Sequence, residues 1–166
     1  MNIRSDQAKD VVCGMMINSD TISLDYQGCH FAFCSKQCLQ RFKSNPHLYI
    51  GYPGHEAPKH AGVEVLKKRT LKLAEALPSD IADQLVACIR TMMGIKAVSI
   101  DGEDMFIVYD LLQATEAQIE QALSDAGIIL GEDLMEKIRR AFVHYMEETE
   151  CESLEVPSTS TSKHCH

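Results

Sequence analysis

No stretch of this 166-residue chain approaches the roughly 20 consecutive apolar residues of a membrane-spanning helix, and Met1–Asp10 lacks the apolar run of a secretory signal. The expectation is a cytoplasmic chain with no membrane insertion. A basic surplus is also missing. The formal net charge is −8, which removes the electrostatic attraction to phosphates that dominates nucleic-acid binding. That charge is uneven: before Ala61 six basic residues face five acidic ones, and from Ala61 onward ten face nineteen. There is no nucleophile elbow, phosphate loop, His-Glu-x-x-His, redox Cys-x-x-Cys or internal repeat, and no paired carboxylates on a plausible strand end. A non-enzyme is therefore expected.

What the chain does have is cysteine. Seven thiols form an odd count, and in a reducing compartment they argue for metal ligation or buried free thiols over a disulfide framework. Four of them, Cys13, Cys29, Cys34 and Cys38, crowd into the N-terminal part. A unit of that size builds only a marginal core unless a staple or a partner supports it.

The spacing predicts short strands at Thr21–Leu24 and His30–Phe33 around a Gln27-Gly28 turn, then a helix from Ser35 to Phe42 that Asn45-Pro46 ends. "GYPGHEAPKHAG" reads as a linker. Beyond it, Thr70–Leu73 reads as a strand. Ile81, Leu85, Cys88, Ile89 and Met92 fall at helical spacing, with Ser79 as cap and Gly94 as stop. Ala97–Ile100 and Met105–Tyr109 form a hairpin around "DGED", taken as longer than a two-residue loop. Thr115 and Gln118 make a capping box for a helix that Gly127 ends. The order is β-α-β-β-α. Leu134, Ile138, Ala141, Phe142 and Tyr145 mark a further amphipathic helix over about 132–148, and a Ser/Thr-rich, disordered tail follows.

Cys13, Cys34 and Cys38 stand as Cys-x20-Cys-x3-Cys. Residues four apart share a helix face, so Cys34 and Cys38 can grip one ion, with the helix N-terminus favouring thiolate. Thiolates select Zn(II), Cu(I) or iron–sulfur clusters over hard cations. A closed zinc site takes four ligands. Cys29 and His30 are the nearest candidates for the fourth, with His47 behind them, and Met15 could serve Cu(I). Two readings stay open: an ion that is exchanged as cargo, and a zinc staple. At the C-terminus His164, Cys165 and His166, with Cys151 upstream, form a second candidate metal site.

The stretch from Val11 to Ile50 resembles the YHS domain of the TRASH-like group. The likeness rests on Cys13-Gly14-Met15, Tyr26-Gln27-Gly28, Phe33-Cys34-Ser35, Cys38, Phe42, and Asn45-Pro46 with Tyr49. Val12 departs from the usual proline, and Cys29-His30 replace ordinary polar residues. The resemblance implies a small, zinc-finger-like unit of treble-clef type, with the cysteines as ligands. It also implies a role in heavy-metal sensing or handling, and such modules occur near oxygenase-type assemblies as well.

The segment carrying "RTLKLAE", "MMGIKAVSI", "FIVYD" and "EAQIEQALSDAGIIL" resembles the heavy-metal-associated domain, a ferredoxin-like module of copper chaperones and copper pumps. Its Cys-x-x-Cys would fall near Pro78 and Ile81, neither of which binds a metal. Cys88, on the apolar face of the helix, reads as core.

The fold expected is α+β: a YHS-like unit at 8–52, a linker at 53–63, a ferredoxin-like β-α-β-β-α unit at 64–130, a C-terminal helix at 131–149 and a disordered tail at 150–166. The function expected is a metal-binding protein of heavy-metal homeostasis or resistance, with copper as the expected metal, passing its ion to a metal-transporting P-type ATPase or another carrier. A structural or regulatory zinc-stapled module acting through protein contacts, and a subunit of an oxidoreductase assembly, are the alternatives.

Overall fold

The computed structural model describes residues 7–18 and 22–157. It is a mixed α/β structure with three small antiparallel sheets. In the N-terminal part β1 (Gln7–Lys9) pairs with β2 (Met16–Asn18), and β3 (Ile22–Tyr26) pairs with β4 (Cys29–Phe33). The β1–β2 hairpin carries too few alternating apolar residues to stand out in the sequence. The β3–β4 turn lies at Gln27-Gly28 as expected, with both residues at positive φ, 50° and 78°. That conformation matches the twist of a two-residue hairpin.

Helix α1 (Lys36–Ser44) begins at Ser35, whose hydroxyl accepts the Cys38 amide, and ends at Asn45. Pro46 then opens the short α2 (His47–Ile50). Phe42 projects from α1 into an aromatic group, its ring centroid 4.8 Å from Phe31, 5.3 Å from Phe33, 5.6 Å from Tyr26 and 6.3 Å from Tyr49.

Next come β5 (Leu66–Lys72), α3 (Ser79–Arg90), β6 (Ile95–Asp101), β7 (Asp104–Asp110) and α4 (Glu116–Asp125). The sheet order is β5-β7-β6, and a single Leu73–Leu130 bridge adds to its β5 side. Leu71, Val98, Met105, Ile107 and Tyr109 pack with Leu85 and Ile89 of α3 and Ile119 and Leu123 of α4. Thr115 and Gln118 close the expected capping box.

Several expectations change. Ser79 is the first residue of α3, not its cap; Pro78 holds the cap position without a side-chain hydrogen bond. The β6–β7 turn is the two-residue minimum, because Asp101 pairs with Asp104 and Gly102 takes φ 61°. Cys88 is exposed rather than core, since α3 turns Leu85 and Ile89 inward and leaves Cys88 beside them facing out.

The largest correction concerns α5 (Leu134–Glu155), which continues through Cys151. Its apolar stripe faces solvent: Leu134 is 71% exposed, Ile138 54%, Phe142 61% and Tyr145 63%. The opposite face, Arg140, His144, Glu147, Cys151 and Leu154, is the one turned toward the rest of the chain. Polar partners explain the choice. Glu147 accepts hydrogen bonds from the Tyr109 hydroxyl and the Glu116 amide, and Arg140 donates to the Gly131 carbonyl. A buried donor left unpaired costs about 1–3 kcal/mol, so these acceptors hold the polar face inward.

The N-terminal core is completed from far along the chain. Val12, Phe33, Cys38, Phe42, Leu48 and Tyr49 pack with Leu111, Leu112 and Cys151. Arg41 donates to the Leu111 carbonyl at 3.2 Å and lies 3.5 Å from the Cys151 sulfur, while the Tyr49 hydroxyl donates to the Leu112 carbonyl at 2.5 Å. Glu155, at the end of α5, accepts from the His47 amide at 2.8 Å and the Asn45 side chain at 3.1 Å.

Candidate metal centre

Three local structures converge on one point. The loop between β1 and β2 carries Cys13, the bend that follows β4 supplies Cys34, and the first turn of α1 supplies Cys38. The Cys34 sulfur lies 3.5 Å from that of Cys13 and 3.5 Å from that of Cys38. Three thiolates around one zinc at about 2.3 Å, in tetrahedral array, sit about 3.8 Å apart. The observed separations fit a shared ion after a small expansion.

Asp10 joins them. One ligand atom from each of Asp10, Cys13, Cys34 and Cys38 lies within 4.8 Å of the others. Asp10 is fully buried, and its carboxylate ties the loop together. Oδ1 accepts the Val12 amide at 2.8 Å and the Cys13 amide at 3.3 Å, while Oδ2 accepts the Cys34 amide at 2.7 Å. The Asp10 carbonyl receives the Gly14 amide at 2.7 Å, and Gly14 takes φ 81°, the left-handed conformation that glycine adopts at little cost. The carboxylate therefore sets the positions of two cysteines at once. A carboxylate oxygen has a second lone pair, so Asp10 can also reach an ion as fourth ligand.

Burial keeps the Cys13 and Cys38 thiols protonated without a cation. Burial pushes the Cys13 thiol up to about 11; the Met15 amide pulls it partly back, and the Cys34 thiol and Asp10 carboxylate add to the rise. Burial, then Asp10 and Cys13, also raises Cys38. Burial opposes the Asp10 anion, yet the Cys34 and Val12 amides outweigh it and hold its pKa below the usual 3.8. An anion at the centre of a thiol group favours the binding of positive charge, and metal binding there would release protons.

The other candidates fall elsewhere. Cys29 is exposed at the β3–β4 turn, and His30 pairs with Asp25 at 2.7 Å on the surface. Neither joins the sulfur cluster: Cys29 opens β4 at the end of the strand away from Cys34, and His30 is held by Asp25. His47 stacks on Tyr52 at 3.8 Å and bonds the Gly51 carbonyl. Met15 is exposed. Cys151 is a buried helix residue beside Arg41, not part of a tail. His164, Cys165 and His166 lie outside the described residues.

Sequence reasoning missed Asp10. Its signal was an aspartate three residues before a cysteine and followed by glycine at a tight turn, a pattern common enough in loops to pass unnoticed.

The family model of the YHS domain matches residues 8–52, a span that contains Asp10 and all three converging cysteines. No curated protein and no solved structure matches the chain. The resemblance of the β-α-β-β-α segment to the heavy-metal-associated domain gains no support from the family match, which ends before it. Among the described residues, no helix is long and apolar enough to cross a membrane.

Proposed function

We propose that this protein binds a soft or borderline metal ion, Cu(I) or Zn(II), through Cys13, Cys34 and Cys38, and serves heavy-metal homeostasis as a carrier rather than a catalyst. The observation that carries this reading is the convergence of three sulfurs, at 3.5 Å steps, inside a YHS domain. Cys13 and Cys34 are only half-buried, so an incoming ligand has access. Transfer would proceed by exchange. A partner thiolate forms a bond to the ion as the bond to Cys13 breaks, while Cys34 and Cys38 hold on.

Cargo is favoured over staple by the core beneath the site. Five aromatic rings, together with Val12, Leu48, Leu111 and Leu112, give the N-terminal part an apolar interior built mostly from groups other than the three ligand thiols. Such a core supports the fold without an ion. The β-α-β-β-α segment is read as a ferredoxin-like unit related in shape to heavy-metal-associated domains. Its acidic surplus would meet the basic face of a cytoplasmic partner, such as a metal-transporting P-type ATPase or another carrier.

The test is titration of the full chain with Cu(I) against a competing chelator, with circular dichroism recorded before and after metal removal. One ion per chain is expected, lost in the Cys34→Ser/Cys38→Ser variant, with the metal-free chain still folded. Unchanged Cu(I) uptake in that variant would overturn the site, and unfolding on chelation would favour the zinc-staple reading.

A further inference from the structure

A second group of ligand-bearing side chains lies between α4 and α5, away from the cysteines. Glu116 and Glu120 stand one helical turn apart on α4, and His144 faces them from α5. One ligand atom from each lies within 4.8 Å of the other two. His144 Nε2 and Glu120 Oε1 are 2.8 Å apart.

Glu116 makes this more than an acidic cluster. Its side chain has no exposed surface, and neither carboxylate oxygen has a hydrogen-bond partner. Arg69 holds Nε 3.4 Å from Oε2 without making a hydrogen bond, and that Nε is itself unpartnered. A buried carboxylate without hydrogen bonds is strongly disfavoured and calls for a partner.

The surroundings hold the group in place without occupying it. Glu147 is already satisfied by the Tyr109 hydroxyl and by the Glu116 backbone amide, which fixes the start of α4. Arg140 Nε lies 3.4 Å from Glu120 Oε2, leaving Oε1 turned toward His144. His144 also lines a cleft of about 500 Å³ between α1, α4 and α5.

We propose that Glu116, Glu120 and His144 form a second metal site, one that takes a divalent first-row transition ion such as Mn(II), Fe(II) or Zn(II). Two carboxylates and an imidazole are hard and borderline donors. Their chemistry is therefore opposite to that of the three thiolates, and Cu(I) would not choose them. The ion would replace the His144–Glu120 contact with two bonds to itself and give the orphaned Glu116 oxygen a partner. The protein would then hold two ions in donor sets of different class, one in the N-terminal part and one under α5.

Mn(II) is the probe, because it avoids thiolates and its free form is read directly by electron paramagnetic resonance. Titration of the full chain should show one bound Mn(II) per chain, displaced by Zn(II). Glu116→Gln keeps the shape of the buried side chain, and His144→Gln alters a residue that is partly exposed, so at least the second should fold. Each should weaken Mn(II) binding by at least about ten-fold, as loss of even an outer partner does in known sites. Absence of saturable Mn(II) binding in the wild-type chain would overturn the proposal. Undiminished binding in the folded His144→Gln variant would overturn it as well.

Discussion

The two halves of the molecule arrange their ligand-bearing side chains by different means. At 8–52 the sulfurs are placed by local structure: two hairpins, one helical turn and the Asp10 carboxylate that ties them together. Under α5 the glutamates and the imidazole meet only because two helices distant in sequence dock, and that docking depends on Glu147 reaching Tyr109 and the start of α4. A site assembled by helix docking shares the fate of the core.

The halves are nevertheless tied. Arg41, Tyr49 and Glu155 bridge them through buried or half-buried hydrogen bonds. The strongest test of that tie is Phe42→Ala, which empties the centre of the aromatic group. It should cost about 3–5 kcal/mol. Denaturant unfolding should still show one transition, shifted to lower concentration and affecting both halves together; two separated transitions would show that the halves unfold independently.

Asp10→Asn acts more narrowly. An amide in place of the carboxylate puts a donor against the Cys34 or Val12 amide, and an unpaired buried donor costs about 1–3 kcal/mol. The wild-type carboxylate has a folded pKa below its unfolded value of 3.8. Its contribution is thus fully present above that value and is lost as pH falls through the folded one. The variant should lack this part of the acid-induced loss of stability. Its Cys13 thiol should also ionise at lower pH, as read by thiolate absorbance, because Asp10 helps hold it up near 11. The site under α5 should be untouched.

Thr115→Ala is the mildest change and falls on the other half. It removes one side of the capping box and should lower stability by about 1 kcal/mol in thermal or chemical unfolding. Because Glu116 follows directly, Mn(II) binding should respond more than Cu(I) binding; the reverse ranking would contradict the separation of the two sites.

Much of this organisation is legible in the amino acids. The β3–β4 turn, the Ser35 start of α1, the capping box of α4 and the β-α-β-β-α order follow from turn residues, caps and periodicity, all local signals. The Cys34/Cys38 pair follows from helical spacing, and Cys13 from its resemblance to a YHS motif. Asp10 was not legible, because its role is to accept amides from residues that come together only in the folded loop. Cys88 was misread because an apolar stripe shows that a helix is amphipathic but does not say which of its flanking residues meets the core, and the end of α5 was placed too early because its last turns are held by Arg41, Asn45 and His47, which are distant in the chain.

By itself, then, the sequence determined where the chain turns, which segments become helix or strand, and that thiols of metal-binding spacing lie near the start. Only the tertiary structure decided that Asp10 completes the thiol group, that Cys151 belongs to a core and that α5 turns Glu147 inward and Phe142 outward. The physical reason is that local signals are properties of neighbours in the chain. The burial of a charged side chain depends on partners supplied by distant segments, here Tyr109, Arg41 and the start of α4.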